Sequence, residues 1–162
     1  MVEEKSSLEK LKEDYEIIRK KYNFPSFDEM NKEFFIEKLA ESETDILVRE
    51  LRKQVGDRLA NYMRFMETLI NPVNVPMFVF SLVKSLSSED KTKLGEMYNL
   101  LAKKEIEFIK LDISFSESGE VKFINESVDL WKIIQTDFSE IILRLESKLD
   151  DKAEVRDRDY FG

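Results

Sequence analysis

Residues 106–124 read IEFIKLDISFSESGEVKFI, and the fold class turns on how this stretch is taken. Ile109, Leu111, Ile113 and Phe115 alternate with Lys110, Asp112 and Ser114, and Ser116-Glu117-Ser118-Gly119 has the composition of a turn before Val121-Lys122-Phe123. That is a β-hairpin pattern. Yet Ala102, Ile106, Ile109 and Ile113 also fall on one face of a helix. A lone two-stranded hairpin is marginal unless it packs on something, so the helical reading is preferred. A small hairpin near 106–124 stays open as the β alternative.

Downstream the pattern is purely helical. Val121, Ile124, Val128, Trp131, Ile134, Phe138, Ile141, Leu145 and Leu149 step by threes and fours through about thirty residues, or about 45 Å of helix. A globular domain of this length is about 40 Å across, so the helix is expected to overhang it and to expose Ile142, Leu145 and Leu149 as an interface. Trp131 would anchor such a contact, and a homodimer or another protein partner would cover it. Residues 150–162 are charged with little periodicity and are expected to form a mobile tail, in which Tyr160 and Phe161 suit a docking peptide.

Upstream, Leu94, Met97, Tyr98, Leu101 and Ile106 continue the periodicity of a helix that opens at Ser87-Ser88-Glu89-Asp90. Before it lies NPVNVPMFVFSL, residues 71–82. Pro72 should stop one helix, and Pro76 should open the next with Asn74 as N-cap. Met77, Phe78, Val79, Phe80, Leu82, Val83 and Leu86 are apolar nearly all round, which predicts a central helix enclosed by others, with an exposed partner surface and a membrane contact as the lesser alternatives. The preceding helix is marked by Val48, Leu51, Val55, Leu59, Tyr62, Met66 and Leu69. Ser6 with Glu9 and Ser26 with Glu29 are capping-box signals for two more helices, the first ending near Tyr22 before Asn23-Phe24-Pro25. The expected architecture is all-α: a single-domain bundle of five or six helices over residues 1–149.

Composition narrows the function. The 162 residues include no histidine and no cysteine, and 37% are charged. The commonest general base, the usual transition-metal ligands and disulfides are therefore missing. No Gly-rich phosphate loop or nucleophile elbow occurs. No enzyme activity and no cofactor are expected. Glu33, Glu37 and Glu41, spaced by four, are weighed as the start of a carboxylate cation site and read instead as solvent-facing charge. The first residues lack an apolar leader core, and no run approaches the roughly 20 apolar residues of a membrane span, so a cytoplasmic protein is expected. The abundance of Lys and Glu resembles the bias of heat-adapted proteins.

The net charge of −8 opposes DNA and anionic lipid. One helix departs from it: residues 46–66 hold five basic side chains and two acidic ones. Arg49, Arg52, Lys53 and Arg64 share a face with Gly56, which would suit an anion or RNA. Residues 27–45 hold seven acidic and two basic side chains, so pairing with the second helix is the competing structural account. The expected function is that of a non-catalytic helical interaction or adaptor protein. Anion or RNA binding through Arg49, Arg52, Lys53 and Arg64 is the alternative.

Overall fold

The starts of the first two helices fall where serine side chains cap them, and both helices stop at a left-handed residue. In the computed structural model, which describes the backbone of residues 5–42 and 46–160 and side chains as far as residue 151, every regular element is helical. These elements are α1 (Ser7–Tyr22), α2 (Phe27–Phe34), a 3-10 segment (Ile36–Glu41), α3 (Leu47–Ile70), α4 (Met77–Val83), α5 (Ser88–Ile113) and α6 (Glu117–Tyr160). The all-α expectation therefore holds. Ser6 forms the complete capping box with Glu9, and Ser26 accepts from the Glu29 amide. Asn23 and Phe35 close α1 and α2 in the left-handed conformation.

Residues 106–124 resolve as helix, turn, helix. The helix α5 runs on to Ile113, and the Ser116 hydroxyl accepts from the Gly119 amide at 3.2 Å to cap α6. The four residues that resemble a turn are thus the cap and first turn of a helix. An ST-type cap and a hairpin turn draw on the same small polar residues, which is why composition alone left both open. At its far end α6 continues past Leu149 to Tyr160, so the backbone of residues 150–160 is helical where a tail was expected. Phe161 and the side chain of Tyr160 lie outside the described residues.

The contacts divide into two compact units. The first comprises residues up to Ala60 together with Lys104–Asp129, and the second comprises Asn61–Lys103 together with the chain from Leu130 onward. In the first, Leu11, Tyr15, Phe34, Ile36, Leu51, Val55, Phe123 and Ile124 form the buried core. The Tyr15 hydroxyl donates to the Pro25 carbonyl at 2.7 Å, and burial pushes its ionisation upward. The Gln54 amide donates to the carbonyl at the end of α2. Lys104 holds Glu107 and Glu126 together at 2.7 and 2.6 Å, tying α5 to α6.

In the second unit Met66, Leu69, Leu94, Met97, Leu101, Trp131, Ile134, Phe138, Ile141 and Leu145 are buried. Tyr62 stacks on Trp131 with ring centroids 4.4 Å apart and planes within 9°. Nearly every residue of the predicted α3 and α6 stripes is thus in a core. The exception that matters is α4. Only Leu82 of its seven residues is buried, whereas Met77 is 89% and Phe78 58% exposed and Phe80 also faces outward. The expectation of an enclosed central helix is corrected accordingly. A helix apolar all round buries only the side its neighbours cover, and here that side holds Leu82, with Leu86 just beyond. Pro76, not Asn74, occupies the N-cap position, while Asn74 takes a left-handed conformation in the linker.

Candidate functional site

Arg49, Arg52, Lys53 and Arg64 of α3 do not form one open face. Arg52 is 1% exposed. Its guanidinium donates to Asp112 Oδ1 at 2.7 Å and to the Phe108 carbonyl at 3.3 Å, and it lies 4.5 Å from the centroid of the Phe108 ring. Its Nε is 3.5 Å from Oε1 of Glu120, a residue of 0% exposure near the start of α6. Arg49 stacks on Phe115 at 4.1 Å and approaches the same Glu120 oxygen at 3.8 Å. Lys53 pairs with Glu50 within its own helix, and Arg64, in the second unit, donates to Asn61.

Glu120 is the residue that sequence reading missed. Neither of its carboxylate oxygens accepts a hydrogen bond among the described residues, and the Arg52 Nε is likewise unsatisfied. Burial pushes the Glu120 carboxyl above its ordinary range, while the charges of Arg52, Arg49 and Lys53 pull the other way and Asp112 adds to the rise. Its place inside the ESGEV segment, where two acidic residues flank a glycine, gives no cue that one of them is enclosed. The partners of Arg49 and Arg52 are on α5 and α6, not on the acidic second helix. Chemically the cluster acts as a clamp on three helices, in which the enclosed Arg52 and Glu120 are compensated by each other and by the more exposed Asp112 and Arg49.

Gly56 serves the same clamp. A Cβ placed there would lie 2.2 Å from the Phe108 ring, so the backbone approach that sequence assigned to a phosphate is taken by an aromatic side chain of α5. The ring in turn carries the Arg52 guanidinium on its face. Glu33, Glu37 and Glu41 do not share a helix face either. The left-handed Phe35 ends α2 after Glu33, and the other two carboxylates belong to the 3-10 segment.

Of the residues expected at an interface on α6, Trp131 and Leu145 are buried within the second unit and Ile142 is half-buried, while Leu149 is partly exposed. The stripe is covered by the chain itself. Two hollows remain. One, of about 560 Å³ in the second unit, is lined by Ser85, Glu89, Lys93, Glu140, Arg144 and Lys148, and is braced by the Asp90–Arg144 ion pair. Burial alone would raise the Asp90 carboxyl, but Arg144 and the Ser87 cap hold it below its ordinary value. The other, of about 580 Å³ in the first unit, is a groove of mixed character in which Ile17, Ile18, Leu47 and Phe115 stand beside Asp14, Lys21 and Glu117. No helix among the described residues is long and apolar enough to cross a membrane.

Compared with known proteins, the chain matches no family model, no curated protein and no solved structure.

Proposed function

We propose that this is a non-catalytic interaction protein that presents α4 to a protein partner. The supporting observation is the outward face of α4 and its approach: Val73, Met77, Phe78 and Phe80 are all exposed, in a stretch whose only charge between residues 71 and 86 is Lys84. Contiguous exposed apolar groups of this kind are uncommon on isolated chains and mark contact sites. Methionine and phenylalanine on a short helix suit insertion of side chains into a partner's pockets. A chain lacking histidine and cysteine is poorly equipped for acid–base or thiol chemistry, which fits a binding role in the cytoplasm.

Anion or RNA binding through α3 is the weaker reading, since Arg52 is enclosed and paired. Affinity capture with the immobilised full chain, followed by mass spectrometry, tests the proposal. Partners held by the wild type should be lost with Phe78→Asp, a change at an exposed position that leaves the fold intact. Identical capture by both proteins would overturn the assignment of α4 as the contact surface.

A further inference from the structure

We propose that the outward face of α5 in the first unit, formed by Ile106, Ile109 and Ile113, docks in parallel on the same face of a second copy of this chain. All three side chains are exposed, Ile113 to 82%. Their spacing of three and four is that of a coiled-coil seam, with Ile106 and Ile113 at a and Ile109 at d. Glu105 then occupies a g position and Lys110 the following e position.

In a parallel pair, each g residue faces the next e residue of the other helix. Glu105 of one copy therefore meets the partner's Lys110, and the reverse pair forms by symmetry. Among the described residues neither Glu105 nor Lys110 has an ion-pair partner in its own chain. An antiparallel pair would set g against g and e against e, placing glutamate by glutamate and lysine by lysine. The charges thus select a parallel second copy, which makes a two-fold contact. The α4 face offers no comparable register, because Lys84 is its only charge. The seam is also short. Three isoleucines per copy fall well below the roughly 800 Å² per partner of a standard stable interface, so association should depend on concentration.

Sedimentation equilibrium of the full chain, from micromolar to hundreds of micromolar, tests this inference. The expected result is a mass that climbs from the monomer value towards twice that value. Ile109→Glu should hold the protein at monomer mass throughout, and Ile113→Glu should do the same if the first variant loses helical signal by circular dichroism. Glu105→Lys should weaken association by roughly tenfold, as expected for replacing exposed attractive pairs with repulsive ones. The double variant Glu105→Lys with Lys110→Glu should restore it. A wild type that stays monomeric at every concentration would overturn the proposal. So would a dimer indifferent to Ile109→Glu, a double swap that fails to restore association, or a dimer lost on Phe78→Asp. That last result would place self-association on α4. Loss of partner capture with an unchanged mass would concern only the α4 reading, so the two proposals fail separately.

Discussion

The Arg52 cluster and α4 are inversions of each other. On α3 a guanidinium is sealed among Asp112, Glu120 and Phe108, whereas on α4 methionine and phenylalanine side chains stand in solvent. A reading by residue type places the first outside and the second inside. The difference teaches that residue type sets the cost of a location, while neighbours set the location. Arg52 is tolerated inside because an aromatic face and two carboxylates surround it. Phe78 is left outside because a seven-residue helix offers few directions, and its neighbours cover only one.

The contrast breaks most severely if Arg52 is removed. Arg52→Ala leaves the buried Glu120 with only Arg49 close by, at 3.8 Å, and the expected loss is about 3 kcal/mol of unfolding free energy by urea titration. A loss below about 1 kcal/mol would mean that the site is open to water. Replacing Arg52 and Glu120 together by apolar residues should cost much less than Arg52→Ala alone, because no enclosed charge is then left and Asp112 and Arg49 both reach solvent.

Within α4 itself, two residues sharpen the same point. Leu82→Ala should cost about 2–3 kcal/mol as a core truncation, and Phe80→Asp only about 0.5 kcal/mol as a surface change. Comparable losses at both positions would show that the outward face of α4 is packed in solution.

Two glycines give a smaller pair of effects. Gly56→Ala forces the Phe108 ring away and should destabilise by about 1–3 kcal/mol, whereas Gly95→Ala, with nothing within 4 Å of the added carbon, should stabilise α5 by up to about 1 kcal/mol. Thermal melts of the two variants should therefore shift in opposite directions. A stabilised Gly56→Ala would remove the clamp's close approach.

The finest test is the pH dependence carried by Glu120. Its folded carboxyl titrates above the ordinary value of 4.5, so between those two values the native state holds more protons than the unfolded chain. Its contribution is fully present below the ordinary value and is lost as pH rises through the raised one. Asp90 runs the other way: its depressed carboxyl adds stability above the ordinary range, which is lost as pH falls. The difference in stability between wild type and Glu120→Gln, followed through the acid range, isolates the first group. The variant should gain on the wild type as pH rises. A constant difference would place Glu120 in ordinary solvation.

Much of the fold was legible because helices are specified locally. The Ser6 capping box, the break at Asn23-Phe24-Pro25 and the stop before Pro72 each depend on residues a few positions apart, and the α3 and α6 stripes needed only their period. The candidate site was legible only as a list of cations. Arg52 and Asp112 are 60 residues apart in the chain, and no local pattern joins them. The hairpin ambiguity at 106–124 has the same origin, since alternation and helical spacing coincide over so short a run.

Sequence by itself therefore determined that the chain is helical, where several helices begin, that the α3 and α6 stripes enter a core, and which kinds of chemistry lack their usual residues. Only the tertiary structure decided that Gly56 admits Phe108, that Glu120 is enclosed beside Arg52, and that most of α4 and the isoleucines of α5 remain uncovered. The physical reason is range: caps and periodicity arise from interactions within a turn or two of chain, whereas burial is a property of whatever distant segment comes to lie alongside.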